Sequence, residues 1–169
     1  MSRESAWGAA NWASDDDAPA SALMVAAEGA LARGDEAEAL DLCQRVVAGF
    51  PYADDRLFRI VLLTQPLEGG IAAKAADTMI SRTDRPFWAV RLGDHLCSVG
   101  DYEAAADAYR RAQALAARAS TLDEQMDAQG TAAVTRYPYW QTTNVHYVRA
   151  AERKLALLSE YGLMSSEST

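Results

Sequence analysis

The chain has 169 residues, half of them hydrophobic, and is therefore long enough to bury the core of one domain. Its formal net charge of −8 disfavours binding to nucleic-acid phosphates and to anionic lipid surfaces. Alanine dominates the apolar fraction and β-branched residues are sparse, which predicts an all-α fold because alanine has the highest helix propensity.

The two ends of the chain are polar, and we predict tails at residues 1–18 and 163–169. The first tail is acidic and predicted to be disordered, yet it contains Trp7 and Trp12, although disordered segments are usually poor in aromatic residues. Two interpretations remain open: the indoles dock on the folded domain, or they form a short motif for a partner. The sequence shows no signal peptide and no apolar run of membrane-spanning length, so we expect a cytoplasmic protein.

The predicted helical domain covers residues 19–162 and begins with two helices. The first is expected from about Ala20 to Arg33, where Gly34 ends it in a left-handed conformation. Asp35 is then expected to cap a second helix, with Glu38 completing a pair that resembles a capping box. Together these helices form a hairpin at about 20–53.

The next elements form two further predicted hairpins, at about 54–85 and 86–119. A third helix starts near Asp54 or Asp55, and a fourth spans about 71–82, between a glycine pair and a proline. A fifth helix covers 87–99, and a sixth continues from Tyr102 to at least Ala117. C-terminal helices are expected within about 120–162. The last of them starts after an aromatic turn at 137–140, where Thr142 or Thr143 caps it, and Arg149, Arg153 and Lys154 form its solvated face.

An internal repeat is the most informative feature of the pattern. Gly34-Asp35 and Gly100-Asp101 lie 66 positions apart, which is two periods of 33 residues. In the third hairpin small and large residues alternate at characteristic spacings: Leu92, Gly93, Leu96, Gly100, Asp101, Tyr102, Ala105, Tyr109 and Ala112. This hairpin resembles the tetratricopeptide repeat family. The first hairpin resembles it more loosely, and the middle one has a degenerate turn at 67–70.

The resemblance implies a right-handed superhelical array of about three hairpins, shielded at its end by a C-terminal capping helix. It also implies that the chain binds another protein or peptide in a concave groove lined by the first helix of each hairpin. The implied groove positions are Met24, Glu28, Leu31, Phe58, Arg59, Leu62, Gln65, Phe87, Arg91, Asp94 and Ser98. Their apolar character suits an amphipathic partner helix better than the charged tails that chaperone-binding members hold. The alternative is a structural or self-associating subunit of a larger complex.

A second, weaker resemblance involves Phe87-Trp88-Ala89, Gly100-Asp101-Tyr102 and the segment 140–143. These residues are similar to the repeat-like stretch of TRAF-binding regions in some kinases and bacterial defence-type proteins.

Residues suited to catalysis are scarce in the sequence. Only His95 and His146 offer an imidazole, and neither has a partner at a spacing that would orient it. The two cysteines, Cys43 and Cys97, lie in apolar helical patterns typical of buried small side chains. We therefore predict an interaction module without catalytic activity, metal or cofactor.

Overall fold

A computed structural model describes residues 18–128 and 138–164, with side chains for 18–118 and 146–164. Within these ranges the chain forms helices and no strand, so the predicted all-α class is confirmed. The helices are α1 (Ala18–Ala32), α2 (Glu36–Gly49), α3 (Asp54–Thr64), α4 (Ile71–Arg82), α5 (Pro86–Ser98), α6 (Tyr102–Ala128) and α7 (Pro138–Glu160). The N-terminal tail, its two tryptophans and the C-terminal tail after Met164 lie outside the described residues.

The chain divides into two compact units between Met79 and Ile80, within α4. In the first unit α1 packs against α2, and α3 contacts both of them. In the second unit α5 packs against α6, and α7 lies against both. Small residues at the helix interfaces permit this close packing, and the core includes Ala27, Ala30, Ala39, Cys43 and Val46 in the first unit and Ala89, Leu92, Ala105, Tyr109 and Ala112 in the second.

The two predicted glycine turns are confirmed, and they share one hydrogen-bond pattern. Gly34 and Gly100 adopt φ values of 78° and 83°, a region that disfavours residues with a Cβ. The amides of Asp35 and Asp101 donate to Ala30 O and Leu96 O, which closes the preceding helix in both cases. Each aspartate then accepts, through its carboxylate, the amide three residues later, at 3.0 and 3.2 Å. A complete capping box would also have the Glu38 carboxylate accept the amide of Asp35. That bond is not formed at the first turn, because the Glu38 carboxylate pairs with Arg33 instead.

Prolines and a C-terminal glycine set several other helix limits. The prediction for α4 at 71–82 is confirmed. Helix α5 begins at Pro86, whose missing amide proton costs nothing in a first turn. Arg111 of α6 holds the loop before α5, donating twice to Thr83 O at 2.7 and 3.1 Å. At the end of α7 the amides of Gly162 and Leu163 donate to Ser159 O and Leu158 O, and Gly162 has a φ of 64°.

The C-terminal helices differ from prediction in one respect. Helix α6 continues to Ala128, which agrees with the prediction that it reaches at least Ala117. Helix α7 begins at Pro138, so the predicted start after Thr142 or Thr143 is wrong. Proline is well suited to a first helical turn, and Tyr139 and Trp140 of the predicted turn are already part of that helix.

Candidate functional site

The predicted groove residues fall into two sets, one in each compact unit. Met24, Glu28, Leu31, Phe58, Arg59, Leu62 and Gln65 belong to the first unit, and Phe87, Arg91, Asp94 and Ser98 to the second. Met24 and Phe58 are buried in the first core, which leaves little of either side chain for a partner. Ser98 is exposed, and its hydroxyl donates to His95 O one turn earlier in the same helix.

In the first unit, an ion pair joins α1 to α3. The Arg59 guanidinium pairs with the Glu28 carboxylate, and both groups are partly exposed. Burial, and next the Glu28 carboxylate, raise the pKa of the neighbouring Cys43 thiol. A buried thiol that stays protonated is a weak nucleophile, so this environment is that of a core residue rather than a reactive one.

In the second unit, aromatic side chains of α5 and α7 meet at the surface. The Phe87 and Tyr147 rings contact edge to face, with centroids 5.5 Å apart, and Phe87 also packs against Trp88 at 5.1 Å. The Arg91 guanidinium lies 5.8 Å from the Phe87 centroid and 6.0 Å from that of Trp88, within the range of a cation–π contact. Phe87 remains 36% exposed, so this group is a surface feature and not a closed core. We call Phe87, Trp88, Arg91 and Tyr147 the aromatic face.

Tyr109 of α6 is only 1% exposed. Its ring occupies the space beside Gly93 of α5, where an added Cβ would lie 2.5 Å from Tyr109 Cε1. Its hydroxyl donates to Asp94 Oδ1 at 2.7 Å and lies 3.6 Å from Cys97 Sγ. Burial, and next the hydrogen bond to Asp94, raise the pKa of the phenol, so Tyr109 stays protonated well beyond neutral pH.

The Lys154 ammonium of α7 pairs with the same Asp94 carboxylate and lies 5.7 Å from the Tyr109 ring centroid. Lys154 is thus partly exposed and paired, whereas Arg149 and Arg153 are exposed as predicted. The local sequence could not indicate this pairing, because the two residues are 60 positions apart. The Asp94 carboxylate thus links α5, α6 and α7.

An open cleft of about 280 Å³ lies between α5, α6 and α7. Its lining consists of Asp94, Cys97, Tyr109, Lys154, Leu157 and Leu158. Most of that lining is apolar, with the Asp94–Lys154 pair as its charged component. Such a cleft suits an apolar side chain with a polar group beside it.

The geometry gives little support for acid–base or metal chemistry in the described part of the chain. Partial burial lowers the pKa of the His95 imidazole, so it is neutral near pH 7. Among the described residues no cluster of histidine, cysteine, aspartate or glutamate side chains could hold a metal ion. The Asp94 carboxylate and the Tyr109 phenol are engaged with each other and with Lys154 in a structural network.

Comparisons with known proteins add no assignment. No protein-family model, curated protein or solved structure matches this chain. In the helices that the structure describes, none is long and apolar enough to cross a membrane.

Proposed function

We propose that this chain is a non-catalytic protein-interaction module, with a fold like that of tetratricopeptide repeats. It holds an apolar segment or an amphipathic helix of another protein, in the cytoplasm, and needs no cofactor. The observation that carries the proposal is the partly exposed aromatic face of α5 and α7, with the apolar cleft on the same two helices.

The composition of the aromatic face favours a protein partner. Aromatic residues and arginine are enriched in protein interfaces, because they bury a large area and retain a polar group for orientation. Phe87 and Tyr147 supply the apolar area, and Arg91 supplies a cation near the Phe87 and Trp88 rings. The Asp94–Lys154 pair adds one group of each sign in the cleft, suited to polar groups of a bound chain.

The repeated construction of the two units supports the tetratricopeptide-like part of the proposal. Both hairpins close through a Gly-Asp turn with the same hydrogen bonds. In both, an acidic residue of the first helix pairs with a basic residue of the helix that follows the hairpin: Glu28 with Arg59, and Asp94 with Lys154. A hairpin that contacts the next helix in this way is the unit from which helical repeat arrays are built.

The proposal is tested by comparing two exposed aromatic positions. The full-length chain, Phe87→Glu and Tyr52→Glu are immobilised and exposed to an extract of the source cells, and bound proteins are quantified by mass spectrometry. Tyr52 is 68% exposed and lies in the turn between α2 and α3, so its substitution makes the same change outside the predicted groove. We expect a partner that Tyr52→Glu retains and Phe87→Glu loses, and calorimetry with that purified partner should reproduce the difference.

Arg91→Glu provides a second variant, since Arg91 is exposed and its replacement leaves the core intact. Equal capture by the parent chain, Phe87→Glu and Arg91→Glu would exclude the aromatic face as the binding site. A stable oligomer in light scattering that Phe87→Glu dissociates would instead assign the face to self-association.

A further inference from the structure

One carboxylate oxygen in the cleft between α5, α6 and α7 has its bonding capacity unused. The Tyr109 hydroxyl donates to Asp94 Oδ1 at 2.7 Å, and the Lys154 ammonium pairs with the same oxygen. Among the described residues no donor contacts Asp94 Oδ2, and the Asp94 side chain is 45% exposed. The lining of the cleft therefore presents a charged acceptor to whatever occupies it.

The cation of the cleft is better compensated than its anion. The Lys154 ammonium lies against the Asp94 carboxylate and 5.7 Å from the Tyr109 ring centroid, within the range of a cation–π contact. Its charge is thus balanced by a carboxylate on one side and by a ring face on another. The net charge of −8 on the whole chain also attracts cations from a distance. Both features favour a cationic group over a carboxylate as the polar part of the occupant.

The apolar part of the cleft limits the size of the occupant. Its volume of about 280 Å³ lies just below the range of roughly 300–1,000 Å³ found for pockets that enclose whole small molecules, so it suits one side chain of a larger partner. Leu157 is 50% exposed and lines the cleft together with Leu158 and Asp94. An apolar side chain against these leucines and a cation at Asp94 would therefore be near neighbours on the partner. Residues three or four positions apart on a helix are such neighbours.

We propose that the cleft selects a basic amphipathic helix. An apolar side chain of that helix packs against Leu157 and Leu158, and a lysine or arginine one turn away donates to Asp94 Oδ2. Lys154 stays on Oδ1, so the Asp94 carboxylate bridges two cations. This inference rests on the proposed function and adds to it the charge of the partner.

Four synthetic helical peptides with a common stripe of leucines test the preference by calorimetry. Three of them differ only at one position, a turn away from the central leucine, which holds lysine, glutamine or glutamate. The fourth has the composition of the lysine peptide, with the lysine moved to the opposite face. We expect the lysine peptide to bind the full-length chain about two- to fivefold more tightly than the glutamine peptide, as for a partly exposed ion pair. The glutamate peptide should bind most weakly.

Three variants of the chain locate the contact. Asp94→Asn removes the charge but keeps an oxygen for the Tyr109 hydroxyl, so the preference for lysine should disappear. Lys154→Met removes the competing cation and should increase that preference. Leu157→Ser should weaken all the peptides alike, whereas Tyr52→Ser, at an exposed position of the first unit, should weaken none. Circular dichroism verifies the fold of each variant, and the comparison of peptides on the parent chain holds even if one variant unfolds.

Equal binding of the lysine and glutamine peptides by the parent chain would overturn the inference. If Leu157→Ser then weakened both, the apolar cleft would still be a binding site and the proposed function would stand. Tightest binding of the glutamate peptide, lost in Lys154→Met, would show that Lys154 receives a carboxylate instead. Equal binding of the lysine peptide and its opposite-face isomer would assign the preference to net charge and contradict the contact at Asp94. Binding of none of the four would also overturn the inference, whereas the proposed function is decided by the Phe87→Glu comparison.

Discussion

The two compact units close their helical hairpins with the same turn but fill them differently. Gly93 of the second unit corresponds to Ala27 of the first, and Tyr109 corresponds to Cys43. The two residues of each pair are 66 positions apart. Both combinations are buried. The large Tyr109 ring requires a glycine opposite it. We expect the smaller Cys43 side chain to leave room for the methyl group of Ala27, so that a paired exchange of volumes preserves the packing density.

This exchange also changes the polar groups around the hairpin. Cys43 is a buried free thiol, and in the first unit Glu28 pairs with Arg59 at a partly exposed site. Tyr109 brings a hydroxyl into the core, which binds Asp94 and through it Lys154. The second unit therefore gains a polar network that links α5, α6 and α7, and with it the cleft that we assign to partner binding.

The largest expected loss of stability comes from adding a methyl group at Gly93 in the second unit. Gly93→Ala puts a Cβ about 2.5 Å from the buried Tyr109 ring, and we expect destabilisation of about 3 kcal/mol, as in severe overpacking. Urea unfolding followed by circular dichroism measures the loss. An unchanged midpoint would show that Tyr109 does not occupy this space.

The Tyr109 hydroxyl should contribute less than the ring. Tyr109→Phe removes the donor to Asp94, which keeps Lys154 as a partner, so we expect a loss of about 1–2 kcal/mol in the free energy of unfolding. An Asp94→Asn background serves as the control, because the hydroxyl effect should be smaller there.

The same hydroxyl predicts an alkaline dependence of stability. The pKa of Tyr109 is raised in the folded chain, so its contribution is complete below the unfolded value of about 10 and declines as the pH rises above it. The stability difference between the parent chain and Tyr109→Phe should therefore shrink above about pH 10. A difference that grows with pH would contradict the buried, protonated phenol.

Gly29 in α1 of the first unit is a helical glycine that can be compared with Gly93. Gly29 is also within a helix, but an added Cβ there meets only the flexible end of Arg33, at 3.4 Å. Because alanine is the better helix former, Gly29→Ala should stabilise the chain by about 0.5–1 kcal/mol. A loss comparable to that of Gly93→Ala would mean that the two hairpins are equally tight at these points.

The smallest effects are expected from the two ion pairs. Arg59→Met and Lys154→Met each remove one partner of a partly exposed pair, and surface pairs of this kind contribute about 0–1 kcal/mol. Both losses should diminish in high salt. A larger loss for Lys154→Met would indicate that Asp94 depends on it within the Tyr109 network.

The parts of this fold that the sequence predicted are those set by single residues and their immediate neighbours. Gly34, Gly100 and Pro86 end or begin helices through the conformations of their own backbones, so these limits could be found without tertiary information. The contact of the Tyr109 ring with Gly93 was not predicted, because it depends on how α6 packs on α5. The pairing of Lys154 with Asp94 and of Tyr147 with Phe87 was not predicted either, because it depends on how α7 docks on the hairpin. Burial of Met24 and Phe58 likewise depends on the packing of α1 and α3.

The paired exchange of volumes is tested most directly by transferring the combination of the first unit into the second. Gly93→Ala, Tyr109→Cys and the double variant form a thermodynamic cycle in urea unfolding. Since the added methyl group fills part of the space that the ring vacates, the double variant should lose less stability than the two single losses combined, by about 1–3 kcal/mol, a range typical of residues in contact. Additive losses would contradict the claim that the two hairpins are variants of one packing plan.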